Sequence, residues 1–234
     1  MGKESFLNFI NDICLLKKPE IEIPEVGAPS LPDTSDIRMM TAAFGHGISV
    51  SPLQIVTAAS SIMNGGILIK PTLVLDKDPN RTKSDKSSVR IVSEKTAHRM
   101  RQLMRLVVTD GTGGKADVPG YNVGGKTGTA DKNEGGRYEK NKRRSSFMGF
   151  FPAEAPKYAV YVMVDEPKGT KESYGYATAG WVAAPAVAGV IESIVAIEGI
   201  KPQDSDELGG TLSAYVKTKE QIEKEKQLVA LTGH

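Results

Sequence analysis

Phe6, Leu7, Phe9, Ile10 and Ile13 recur at helical spacing, which predicts a short amphipathic helix over residues 3–16. Pro19, Pro24, Pro29 and Pro32 follow closely, so residues 17–36 are expected to be irregular. Gly45-His46-Gly47 reads as a hinge. Ser51 is then a candidate N-cap and Pro52 a first helical residue. Leu53, Ile55, Val56, Ala59, Ile62 and Met63 continue at helical spacing until Asn64-Gly65-Gly66 stops them. Residues 67–75 (ILIKPTLVL) form a strand candidate, broken or edged by Pro71. Residues 76–88 are polar and are expected to be a surface loop.

Ser93 caps a second clear helix, with Ala97, Met100, Leu103, Met104 and Val107 as its apolar stripe. Residues 109–119 are glycine-rich and turn-like. Strand character follows over 121–130, 145–151 and 158–165, the last being the continuous run YAVYVMVD. The intervening segment 131–144 reads as a long basic loop. A helix over about 179–197 closes the pattern. The order of elements predicts an α+β fold, with the three late strands as consecutive antiparallel neighbours backed by the last helix.

The 234 residues are 39% hydrophobic and 25% charged, a globular balance. One cysteine, Cys14, excludes an internal disulfide framework, and three scattered histidines give no metal-ligand cluster. No cofactor and no metal are expected. Net charge is +2, which suggests no nucleic-acid partner, but it is unevenly spread. Residues 76–146 hold 17 Lys and Arg against 9 Asp and Glu. That excess is either a solvated basic surface or a field suited to an anionic substrate. No signal peptide or membrane span is expected. The most apolar stretch, 181–197, contains Pro185 and Glu192 and is just under spanning length.

Residues 120–127 match the nucleotide-phosphate loop pattern G-x-x-x-x-G-K-[ST] without a gap. Its required context is missing. Such a loop leaves a buried strand and opens a helix whose amides hold the phosphates. Here GTGGKADVP precedes it, and Gly128-Thr129-Ala130-Asp131 with further glycines follows. A helix beginning at Lys126 would favour the nucleotide alternative.

Placed on a strand, Lys126-Thr127-Gly128-Thr129 carries different chemistry. Thr127 and Thr129 share a face, because side chains alternate along a strand. Gly128 admits a close backbone, and Lys126 adds positive charge. An edge strand of this kind suits an extended peptide ending in a carboxylate.

The surroundings of this K-T-G element give it a family context. Phe44-Gly45-His46-Gly47 through Ser51-Pro52-Leu53-Gln54 resembles the FGYGxxVTPLQ stretch of class B penicillin-binding proteins, with His46 where Tyr is usual. Asn64-Gly65-Gly66 resembles their helix end, and GGKTGTA at 124–130 their third motif. Ser146-Phe147-Met148-Gly149-Phe150-Phe151-Pro152 resembles the following strand, and Ser173-Tyr174-Gly175-Tyr176 the loop before the last helix. The resemblance spans residues 1 to 200 and looks closest to the division-specific septal peptidoglycan D,D-transpeptidase.

That resemblance implies a partial penicillin-binding transpeptidase fold with part of its helical lobe. It implies a peptidoglycan stem peptide and β-lactams as ligands, with other division or cell-wall synthesis proteins as further partners. It implies Lys126, Thr127, Gly128 and Thr129 as substrate-binding residues, and the Thr129 backbone N–H as one arm of an oxyanion hole. Tyr174 is either a wall of the substrate cleft or a surface aromatic. His46 reads as a packing residue rather than a catalytic one, and Glu166 as a strand-end charge. The Arg137–Arg144 cluster reads as a hairpin tip or a contact for anionic lipid or glycan-peptide chains.

No serine in the chain is followed by lysine three residues on, and there is no S-x-N. In the family both motifs precede the stretch matching residues 1–10. The chain is therefore expected to be the C-terminal portion of the transpeptidase domain over 1–200, inactive alone. A charged tail follows over 201–234, helical or disordered, with Ala214 to Ala230 as its helix candidate. The whole protein is expected at the periplasmic face of the bacterial inner membrane. The alternative is a non-catalytic peptide- or partner-binding module from a split gene. Apolar surface left uncovered is expected to promote self-association.

Overall fold

The computed structural model describes residues 2–30, 35–75, 88–134 and 137–209. Helix α1 spans Lys3–Asp12 and buries Ile10. It ends earlier than the periodicity predicts, with Ile13 at its C-cap and Cys14 in a left-handed conformation at φ 63°. Tertiary hydrogen bonds claim the next carbonyls: the Gln54 side-chain amide donates to Cys14 O, Leu15 O and Lys17 O at 3.3, 3.2 and 2.9 Å.

Helix α2 (Asp36–Ala42) stands just before the glycine hinge, where the sequence pattern announces no helix. Seven residues are too few to display a periodicity. Helix α3 (Pro52–Met63) begins as its sequence requires. Ser51 Oγ accepts from Gln54 N at 3.3 Å, and Gln54 Oε1 accepts from Ser51 N at 2.9 Å.

The 67–75 run corrects to a very short strand. Only Ile67–Leu68 (β1) pairs, antiparallel with Val89–Arg90 (β2). Pro71 offers no N–H to continue the ladder. The loop assigned to residues 76–88 lies, up to residue 87, outside the described residues. Helix α4 (Glu94–Thr109) follows, with Ser93 Oγ accepting from Thr96 N at 3.1 Å.

A single turn at Gly114–Ala116 leads to the main sheet: β3 (Gly124–Glu134), β4 (Arg137–Phe151) and β5 (Tyr158–Asp165). Their order is β3-β4-β5, antiparallel throughout, with Lys126 opposite Met148, Thr129 opposite Ser145, and Phe147 opposite Val162. The segment expected as a loop is therefore strand over 131–134 and 137–144. Both strands run on into it as a hairpin, with one irregularity between Asp131 and Lys132. Ion pairs hold this extension together. Lys132 Nζ lies 3.1 Å from Asp165 and 2.7 Å from Glu166, and Arg143 Nε lies 3.1 Å from Asp131.

From Phe147 to Phe151, strand β4 is buried on both faces. Phe147 and Phe151 point to helix α5 (Ala179–Glu198), whose Ala183, Ala184, Val187 and Ile191 complete the larger core. Phe150 points the other way and packs with Met63, Ala153 and Leu208. By length and composition α5 could cross a membrane, yet these four residues are buried within the fold. The α+β arrangement read from the sequence, with α5 backing the three strands, is the one observed.

Residues 201–209, placed by sequence in the charged tail, pack as a strap across the sheet's leading edge. Gln203 N donates to Gly120 O at 2.7 Å, and Leu208 is buried. The helix candidate from Ala214 to Ala230 lies outside the described residues.

Candidate substrate-binding strand

Lys126 begins no helix; it lies on β3, so the loop geometry that a nucleotide phosphate requires is absent there. Among the described residues β3 is an edge strand, and alternate residues turn their N–H and C=O groups away from β4. The two faces of β3 serve different neighbours. A Cβ on Gly124 would lie 2.5 Å from the Phe150 ring, whereas one on Gly125 would lie 2.5 Å from the Phe147 ring. Lys126 and Gly128 thus share the Phe150 face, while Thr127 and Thr129 share the α5 face.

Both threonine hydroxyls are held by the protein. Thr127 Oγ1 lies 2.9 Å from Thr112 Oγ1. Thr129 Oγ1 accepts from Ala179 N at 3.1 Å. Ala179 is the first residue of α5, and the N-cap Thr178 makes no side-chain capping bond. Thr129 therefore satisfies one of the amides that a helix start leaves unpaired. Its own O–H remains available to donate. The sequence gives the shared face of the two threonines, but not these partners. Thr112 sits in a plain glycine-rich turn and carries no signal of its own.

Lys126 is exposed, and its Nζ donates to Thr127 O at 2.9 Å. Beside it, a groove of about 300 Å³ is lined by Ile55, Ala59, Met104, Gly128, Met148 and Tyr161, among others. Ser146 Oγ donates to Gly128 O at 3.4 Å from the neighbouring strand. The arrangement is a cationic strand edge over an apolar groove, with backbone groups open to pairing.

Two ionic clusters support the strand. Arg105 is 5% exposed; its Nη1 donates to Asp117 Oδ1 and to Val123 O, both at 2.8 Å, and its Nε donates to Asp206 Oδ2 at 2.8 Å. Burial works against its charge, but the bonds to Asp117 and Asp206 outweigh this and hold the guanidinium above its usual value. Val123 directly precedes β3, so Arg105 fixes where the strand begins. At the far end, hydrogen bonds to Glu166 and Asp165 raise the Lys132 ammonium, and the bond from Lys132 lowers Asp165. Glu166 is thus a salt-bridged strand-end charge.

Tyr174 sits in the loop before α5. It is 80% exposed and adopts φ 51°. Two bonds tie that loop to the sheet: Ser145 Oγ to Ala177 O at 2.7 Å, and the Thr129–Ala179 bond.

Residues 1–188 match the family described as Penicillin binding protein transpeptidase domain. The chain belongs to this family. The transpeptidase-domain chain is 36% identical over 211 residues to a protein named "Probable peptidoglycan D,D-transpeptidase FtsI" from Caulobacter vibrioides, covering 86% of this chain and 35% of that protein. It is 38% identical over 212 residues to Stage V sporulation protein D of Bacillus subtilis, covering 87% and 32% respectively. The chain thus spans about a third of the length of these relatives. Among solved structures, the apo transpeptidase domain of Burkholderia pseudomallei penicillin-binding protein 3 superposes with a TM-score of 0.75 at 31% identity. That match covers 88% of this chain and 60% of the other. Penicillin-binding protein 3 from Mycobacterium tuberculosis, complexed with ampicillin, gives 0.74 at 26% identity, covering 88% and 48%. The resemblance to division-type class B proteins drawn from the motifs is borne out.

Proposed function

We propose that this chain is the substrate-positioning part of a peptidoglycan D,D-transpeptidase. The observation that carries the reading is the Lys126–Thr129 strand edge, which lies open above an apolar groove with both threonine hydroxyls anchored. A stem peptide ending in D-Ala would pair with this edge as an added strand. The Lys126 ammonium bends round the strand edge to within 3.4 Å of Thr127 Oγ1, so Lys126 and the Thr127 and Thr129 hydroxyls would receive its carboxylate, or that of a β-lactam. The Thr129 N–H would supply one donor to the oxyanion, and Tyr174 would wall the cleft. Gly128 leaves room for the peptide backbone.

The acyl transfer itself needs a serine activated by a nearby base, and no serine here has the S-x-x-K spacing. The chain alone therefore binds without being acylated. In the whole protein this part would work at the periplasmic face of the inner membrane, over residues 1–200. The strap 201–209 extends that unit, because Asp206 and Leu208 are anchored in it.

A gel assay with a fluorescent penicillin tests the reading. The chain alone should show no covalent band. The chain extended in frame at its N-terminus by a segment carrying S-x-x-K and S-x-N should be labelled, and Lys126→Ala should abolish the band. A stable band from the chain alone, lost on changing one of its own serines, would overturn the assignment.

A further inference from the structure

Three aromatic rings stand together at the start of α5, outside the groove beneath Lys126. Tyr174 meets Trp181 edge-on at 5.9 Å, and Tyr176 lies nearly parallel to the indole, 15° off, at 6.5 Å. The Lys115 ammonium sits over the face of the Trp181 ring, 4.3 Å from its centre. Tyr174 and Tyr176 are 80% and 59% exposed. The cluster adjoins the proposed substrate strand. Ala179, two residues before Trp181, bonds Thr129, and a Cβ on Gly180 would lie 2.5 Å from Thr112 O.

The loop that presents these rings is tightly made. Thr170 N donates to Ser173 Oγ at 2.8 Å, Ser173 N to Thr170 Oγ1 at 3.2 Å, and Gly175 N to Thr170 O at 2.9 Å. Tyr174 holds a left-handed backbone, unfavourable for a side chain of its size, while its ring stays in water. Both tyrosines brace on half-buried Trp181, yet each keeps most of its own surface in water.

We propose that the exposed rings of Tyr174 and Tyr176, braced by Trp181, form a shelf that stacks a sugar ring of the glycan strand flanking the stem peptide. This rests on the substrate reading above, and on relatives whose names specify peptidoglycan. The surface chemistry selects the occupant. An apolar side chain would want a closed pocket. A pyranose has an apolar C–H face and a rim of hydroxyls, so it can lie on an open aromatic surface while its rim stays hydrated. The tyrosine hydroxyls match that rim, and Lys115 adds a donor beside it.

Trp181 is the single tryptophan, so its emission reports on the shelf directly. The probe is the β-1,4-linked tetramer of N-acetylglucosamine, titrated into the full chain. A saturable change in emission is expected, weakened at least about tenfold by Tyr176→Ala, equivalent to about 1.4 kcal/mol. Circular dichroism of that variant should match the parent, since Tyr176 is exposed. A second titration uses a sugar-free peptide ending in D-Ala-D-Ala, followed by NMR. Its binding should be lost in Lys126→Ala and kept in Tyr176→Ala. No response to the tetramer up to about 10 mM, or an unchanged response in Tyr176→Ala, overturns the shelf whatever the peptide does. Failure of the parent chain to bind the peptide, with its response to the tetramer intact, overturns the substrate reading and leaves the shelf standing.

Discussion

Gly125 and Gly128 lie three residues apart on β3 and need their missing side chains for different reasons. A Cβ on Gly125 would sit 2.5 Å from Met148 O and 2.5 Å from the Phe147 ring, both inside the sheet. Neither neighbour can move without disturbing β4. A Cβ on Gly128 would meet only Ser146 Oγ, at 2.8 Å, a hydroxyl that can rotate away. Gly125→Ala should therefore destabilise the chain by about 2 kcal/mol, as overpacking does. Gly128→Ala should cost well under half of that, yet weaken a peptide laid against the strand. Urea denaturation of the two variants checks the difference, and equal costs would contradict the packing described.

Helix α3 shows how one residue joins elements. Gln54 is 2% exposed, closes the capping box with Ser51, and donates to three carbonyls of the chain after α1. Ser51 and Pro52 mark this helix start from sequence alone, and Gln54 completes the box at the third position. The long-range bonds are invisible in sequence, because an N3 glutamine is equally good when solvated. Gln54→Ala should cost roughly 2–3 kcal/mol, from the lost cap and the unpaired carbonyls. Ser51→Ala should cost only about 1 kcal/mol. Thermal unfolding followed by circular dichroism should rank the two in that order. The β3–β4 hairpin teaches the converse. Its charged residues 131–144 look like a loop, but ladder pairing and the Lys132 and Arg143 ion pairs extend the strands over 131–134 and 137–144.

At the scale of the molecule, the strap 201–209 returns the chain to the start of β3. Tyr121 Oη donates to Ile200 O at 3.1 Å, and Asn122 Nδ2 reaches Gln203 Oε1 and Ser205 O, both at 2.8 Å. Arg105 joins α4, the Asp117 turn and the strap in one cluster. Asp206→Ala leaves Arg105 with Asp117 and Val123 O, so a loss of about 2 kcal/mol is expected. Arg105→Ala strands two carboxylates and a carbonyl and should cost about 3–5 kcal/mol. Denaturant midpoints of the two variants check that order. A neutral Asp206→Ala would mean that the strap does not hold the fold.

The sequence by itself determined the helix starts at Ser51 and Ser93, the three-strand run, and the placement of Lys126, Thr127, Gly128 and Thr129 on one strand. These are local matters of capping, alternation and glycine placement, each legible within a dozen residues. The family resemblance lay in the same short motifs. Tertiary structure decided the rest. It set which hydroxyls meet, Thr127 with Thr112 and Thr129 with the α5 amide, since those partners are brought together only when α5 packs on the sheet. It stopped α1 at Asp12, where Gln54 claims the carbonyls that follow. It also turned a charged terminal segment into a strap, because Asp206 finds its cation 101 residues away. Pairing over such distances is fixed by how the core closes, and no window of sequence carries it.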